Sequence, residues 1–298
     1  MNSYLKAMRI ERWPRSLAIF VGVFFYLLLN RNNLGQIDLK YLLVYSLFAF
    51  ILTGMVSVVN YIINEIADFP FDSHHPAKKE RPLLKGEVNK KSLIFIAISL
   101  LLVSFIISVL FFSLYFHLSL FSLFIAGILY NLKPFRVKDI PYFDSILESA
   151  NNPIRFLIGW FSLEPEKFPP LIPLIFWWLF GNFLLSGKRI SELKYLGDER
   201  AKNYRKSFNG YKKGTLNYFM ILSGLLFFIL YIQFSVEIKN KLFIFSIPFV
   251  FIFLLSFSYK VLKGGALIDE PESLIKDKLF FFLILLIFIF IFFSLFVK

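Results

Sequence analysis

Four polar side chains at the end of a long apolar run recur every fourth residue: Asn60, Asn64, Asp68 and Asp72. On a continuing helix this spacing puts them on one face, about 6 Å apart along the axis. They form a stripe of oxygen acceptors. Mg2+ takes hard oxygen ligands in a nearly octahedral shell, commonly one or two carboxylates completed by water and substrate phosphate. Asn64, Asp68 and Asp72 therefore read as ligands of a metal-bound diphosphate rather than as an all-protein cage. His74, His75, Lys78, Lys79 and Arg81 follow, where a folded loop can bring cations onto the outer phosphate oxygens. The plainer alternative keeps Asp68 and Asp72 as solvated loop carboxylates paired with Lys78, Lys79 or Arg81. Adjacent histidines without a helical i, i+4 partner or a third ligand are a weak zinc signal, and zinc is set aside.

The elements that must position this stripe are membrane spans. The 298 residues are 57% hydrophobic and 20% aromatic, with 41 Phe, and the apolar residues fall in blocks of bilayer length. Spans are expected near 14–30, 41–63, 93–113, 115–132, 144–161, 170–187, 216–235, 242–260 and 279–297, an all-α bundle of nine transmembrane helices in a single domain, 1–298. The first is read as a retained helix, since it exits through "LLLNRNN" with no small-residue cleavage site. Of the 33 Lys and Arg, 26 lie in the N-terminal segment and in alternate connections. That one-sided bias puts the N-terminus in the cytoplasm and the C-terminus outside, in the cell's inner membrane. It also accounts for the net charge of +13 without a nucleic-acid partner. With no cysteine, disulfides, thiolate metal sites and a cysteine nucleophile are excluded.

Two connections, 64–92 and 187–214, are long and charged, so the active site is expected there, on the cytoplasmic side. A polar group facing hydrocarbon costs several kcal/mol, whereas one facing a protein cavity need not. Asn60, Asn152, Arg155 and Asn182 are therefore expected to face the interior. Arg155, eleven residues into its span, lies roughly 16 Å from the helix start. Pro70 removes a helical hydrogen bond and disfavours helix at Phe69, so the second helix is expected to kink or end before Asp72.

The stretch "NEIADFPFDSHHPAKKERP" (64–82) resembles the first aspartate-rich motif of the UbiA superfamily of intramembrane prenyltransferases. Asn64, Asp68, Asp72, His75, Pro76, Lys78, Arg81 and Pro82 match that motif, and Glu65 stands in place of the usual Asp. Most members open the loop after the sixth helix with Asp at i and i+4. Here "GKRISELKYLGDERAKNYRKSFNGY" has Lys188 and Glu192 at that spacing, with Arg189 alongside. This loop is similar to that of the branch that moves phosphoribose onto polyprenyl phosphate, as are "MRIERWPRSLAIF" and "GGALIDEPESLIKDK" near the two ends. The middle, "YNLKPFRVKDIPYFDSILESANNPIRFLIGW", resembles other members.

The resemblance implies a Mg2+-dependent transferase with a diphosphate-activated donor and a lipid-embedded acceptor. Its catalytic residues would be Asp68, Lys188 and Glu192. Asn60, Asn64, His75, Lys78, Arg81, Lys133, Asn152, Arg155, Arg189 and Arg205 would contact substrate. A donor and acceptor that both bring extra phosphate need extra cations, which Lys188, Arg189, Arg200, Arg205 and Lys206 supply. Lys188 and Glu192 could instead be an i, i+4 surface pair. Prenyl transfer to an aromatic or other lipid acceptor is the alternative reaction. A transporter is the remote one, since transport paths carry their ionisable groups near mid-membrane. Homo-oligomerisation is left open.

Overall fold

The computed structural model describes residues 2–72, 81–197, 201, 205–212, 214–264, 274 and 276–297, the side chains of Phe71 and Asp72 excepted. Its regular structure is helical, with no strand among the described residues: α1 (Ser3–Ala7), α2 (Ile19–Leu29), α3 (Leu39–Asp72), α4 (Lys90–Phe111), α5 (Leu114–Asn131), α6 (Phe143–Phe161), α7 (Leu171–Leu196), α8 (Thr215–Glu237), α9 (Lys241–Phe245), α10 (Ile247–Leu262) and α11 (Lys278–Phe293). Among the described residues seven segments are long and apolar enough to cross a membrane: Ile10–Leu29, Leu39–Pro70, Lys90–Phe111, Leu114–Asn131, Leu171–Leu196, Thr215–Glu237 and Lys241–Leu262. The other two expected spans are helical as well. One of them, α6, carries Asp144, Glu148 and Arg155, and the other, α11, has 16 residues, so length and composition alone do not establish them as crossings.

The residues group into two compact units. The first comprises Met1–Tyr26, Ile37–Val137 and Ile154–Phe168. Its axis is α3, whose 34 residues make a rod of roughly 51 Å at 1.5 Å per residue. A hydrocarbon layer is about 30 Å thick, so the polar end of α3 can stand clear of it. The sequence reading stops or kinks this helix before Asp72; α3 instead continues through Pro70 to Asp72. A proline two residues from the helix end forfeits the bond to the Ile66 carbonyl and leaves little helix beyond to disrupt.

α4 and α5 pack against α3 as a hairpin. Asn89 caps α4 by accepting from the Lys91 amide, and Ser113 caps α5 by accepting from that of Phe116, so two residues suffice to turn the chain. Around the polar end of α3, Ala7 joins Val58, Val59, Ile62, Leu83, Val88 and Leu93 in one buried cluster. α2 crosses the end of α6 backbone to backbone. A Cβ on Gly22 would lie 1.9 Å from the Phe156 carbonyl oxygen, and one on Gly159 would lie 1.9 Å from that of Ile19. Small residues at such crossings are the usual route to close helix contact in lipid.

The second unit comprises Leu27–Gln36, Lys138–Pro153 and Pro169–Lys298. Its main contact is α7 along α8, with α10 packed on both and α11 on α10. Asn182 donates its amide to Ser223 Oγ at 2.9 Å across the α7–α8 seam. Asn240, fully buried, accepts from the Phe243 amide and donates to the Ser294 and Val297 carbonyls at 2.8 and 2.6 Å. Outward-facing positions such as Phe95, Leu110, Phe281 and Phe288 are apolar and exposed, as a lipid-facing surface requires.

Candidate active site

In the first unit the end of α3 presents two buried carboxylates one turn apart. Glu65 is 3% exposed; Arg9 meets it at 3.4 Å and Arg81 at 3.6 Å, both through Oε2. Asp68 is 8% exposed and accepts from Arg136 Nη2 at 2.9 Å. Arg136, which adopts a left-handed backbone with φ of 35°, also donates Nη1 to the Ala67 and Asn131 carbonyls at 3.3 Å each. One guanidinium thereby ties the last turns of α3 to the end of α5. Burial and the like charge of Arg81 push the Arg9 guanidinium below its ordinary pKa, against the pull of Glu65. Asn60 turns the other way, donating to the Leu123 carbonyl at 2.9 Å and filling the space above Gly127. Its Oδ1 is buried without a hydrogen-bond partner.

In the second unit a single guanidinium faces three carboxylates. Arg189 is 2% exposed and donates Nε to Asp144 at 3.2 Å, Nη1 to Glu192 at 3.1 Å and Nη2 to Glu148 at 2.6 Å. Asp144 is wholly buried and also accepts from Ser207 Oγ at 3.2 Å and from the Tyr211 hydroxyl, with Arg205 Nε at 3.4 Å. The segment 205–211 is thereby fastened to the start of α6 and the end of α7. Burial first, and then the Asp144 charge, push the Tyr211 phenol well above its ordinary range, which keeps it a donor. Among the described residues no group of three or more His, Cys, Asp and Glu is arranged to hold a metal by itself. Asn64 and Asp68 nonetheless offer an all-oxygen donor set, which suits Mg2+ completed by substrate phosphate.

A profile of the UbiA prenyltransferase family matches residues 18–285, most of the chain. The chain belongs to the UbiA prenyltransferase family. Over 130 residues it is 37% identical to the 4-hydroxybenzoate octaprenyltransferase of Francisella tularensis subsp. novicida (strain U112), covering 44% of this chain and 43% of that protein. The match thus spans less than half the length of that curated relative. Among solved structures, a UbiA homologue from Archaeoglobus fulgidus bound to GPP and Mg2+ superposes with a TM-score of 0.71 at 17% identity, covering 98% of each chain. A digeranylgeranylglyceryl phosphate synthase superposes with a TM-score of 0.67 at 20% identity, covering 98% of this chain and 96% of that one. At such identities the likeness speaks for the fold.

Against this UbiA frame the expected site residues divide. Asn64, Asp68 and Arg81 lie within the first unit's polar end, as does Arg136, which the sequence reading omits. Arg155 lies in the same unit and reaches Ser57 Oγ at 3.3 Å. Lys188, Arg189, Glu192 and Arg205 lie in the second unit, where Asn152 sits over Gly181. Lys133 is exposed. His75, Lys78, Arg200 and the Asp72 side chain lie outside the described residues. The sequence reading also misses Arg9, Asp144, Glu148 and Tyr211. Asp144 and Glu148 do carry a signal: two acids at i, i+4 in the first two turns of an expected span.

Proposed function

We propose that this UbiA-family transferase moves 5-phosphoribose from phosphoribosyl diphosphate to a polyprenyl phosphate, with Mg2+, at the cytoplasmic face of the inner membrane. The observation that carries the reading is the treatment of the second motif. Where most relatives place Asp at i and i+4, this chain has Lys188 and Glu192, and Glu192 is bonded to Arg189. The exchange leaves one acid where that pattern has two, and the basic residues around it suit phosphate. A donor with a 5-phosphate and an acceptor that is itself a phosphate call for that exchange.

Asn64 and Asp68, with Asp72 beside them in sequence, would hold the metal. Bound there, Mg2+ would offset charge on the departing diphosphate. Arg81 and Arg136 orient the diphosphate oxygens. The bond from the anomeric carbon to diphosphate breaks as an oxygen of the lipid phosphate forms its own bond there. Catalysis then rests on positioning and electrostatic stabilisation, with no protein nucleophile.

Membranes containing the protein, given labelled phosphoribosyl diphosphate and, separately, labelled prenyl diphosphate, test this. Phosphoribose incorporated into an organic-soluble lipid supports the proposal; label entering only from the prenyl donor refutes it. Prenyl transfer is the second reading, favoured by the match to a 4-hydroxybenzoate octaprenyltransferase.

A further inference from the structure

Within the second unit the end of α10 and the start of α11 pack side by side, and Lys260 Nζ there reaches Asp277 Oδ2 at 2.5 Å. Between the two helices runs an open groove of about 520 Å³. Leu255 and Leu279, both exposed, form its apolar wall, while Lys260, Lys263 and Asp277 stand where the helices end. Lys260 Nζ lies 5.4 Å from the centre of the Phe280 ring and Lys263 Nζ 4.6 Å from that of Tyr259, so both ammonium groups sit against aromatic faces. Lys276 and Lys278 flank Asp277 in sequence and are exposed. Asp277 is the acid described among these four lysines, and it is used twice. It caps α11 by accepting from the Leu279 amide at 3.0 Å, and it bonds Lys260. The negative end of α10 is also answered, because Lys194 donates to the Val261 carbonyl at 3.1 Å. The patch therefore keeps an excess of positive charge directly beside an apolar strip.

We propose that this groove binds an anionic glycerophospholipid, its phosphate held by Lys260 and Lys263 and one acyl chain laid against Leu255 and Leu279. Lys276 and Lys278 add to the attracting field. A soluble anion gains nothing from the apolar wall, and a zwitterionic lipid gains nothing from the excess charge. An anionic lipid uses both. The basic bias of this connection assigns it to the cytoplasmic side, whose leaflet carries the negative surface charge, and basic pockets between helices at that level suit acidic headgroups. The groove is separate from the carboxylate cluster around Arg189 and from the polar end of α3, so the lipid is a bound partner and not a reactant.

Native mass spectrometry of the purified full-length protein tests this, with titrations of phosphatidylglycerol and, separately, phosphatidylcholine carrying the same acyl chains. Wild type should bind phosphatidylglycerol roughly tenfold or more tightly than phosphatidylcholine. Lys263→Gln should weaken phosphatidylglycerol binding roughly fivefold, the contribution of one lysine near an acidic lipid surface. Lys263 is exposed, so this variant reports on binding rather than folding. Changing Lys260 and Lys263 together to Gln should remove most of the preference. Lys241→Gln, an exposed lysine at the start of α9, should leave it intact. Glycerol phosphate, a headgroup without chains, should not displace the bound lipid. Equal binding of the two lipids by wild type, equal losses in Lys241→Gln and Lys263→Gln, or displacement by glycerol phosphate overturns the proposal.

Discussion

Replacing Asp144 by Ala should be among the most damaging single changes in the second unit. The carboxylate is wholly buried and faces Arg189, Arg205, Ser207 and Tyr211. Removing one partner of a buried ion pair typically costs about 3–5 kcal/mol, because the other charge is left uncompensated. Arg189 keeps Glu148 and Glu192, which argues for the lower end, while the lost acceptor for two hydroxyls adds about 1 kcal/mol each. A destabilisation of about 3–5 kcal/mol follows. Asp144→Asn retains an acceptor oxygen and should cost about 2 kcal/mol, chiefly through the lost charge. Reversible unfolding in mixed micelles reads both. In a double-mutant cycle, Asp144→Ala and Tyr211→Phe should couple by about 1 kcal/mol or more, as expected for residues in direct contact. A loss below about 0.5 kcal/mol for Asp144→Ala, the range of an ordinary surface change, or a coupling near zero, would refute the claim that this carboxylate organises the cluster.

Asp68→Asn should abolish Mg2+-dependent turnover without unfolding the protein, checked by labelled-donor transfer alongside a thermal melt; unchanged activity removes Asp68 from the site. Tyr211 has a folded pKa above its unfolded value, so its contribution to stability is complete below about pH 10 and fades only as pH rises through the higher folded value. Tyrosinate absorbance of folded wild type and of Tyr211→Phe should therefore match at pH values just above 10, the missing phenol having contributed no anion. Gly22→Val would drive a side chain into the Phe156 carbonyl and force α2 off α6, costing several kcal/mol of the kind seen in overpacked cores. Thermal melts in detergent, with Gly35→Val as an open-space control, would show it.

What could be read in the sequence was what local chemistry encodes. Apolar run length located the helices, and the four-residue rhythm from Asn60 to Asp72 put Asn64 and Asp68 at the end of one long helix. The pairing partners were hidden. Arg136 lies 68 residues from Asp68, and no periodicity links them. Arg189, expected in a basic loop but placed in the last turns of α7, looks in the sequence like a phosphate ligand, yet its three nitrogens reach carboxylates on two helices, because burial makes the cation the hub of an ion-pair lattice. Pro70 shows the reverse error: a strong local breaker matters little where a helix has only two residues left to run. Arg9 escaped notice because nothing in "KAMRIERW" announces a left-handed turn.

The Asn240 amide joins the start of one short helix to the final residues of the chain. Trimming the protein after Phe293 would strand two donor hydrogens in a greasy interior, where nothing nearby replaces the lost oxygens. A reporter or purification handle added at this end should follow an intact Ser294–Val297 turn. Shortened versions made to aid crystallisation are best trimmed elsewhere.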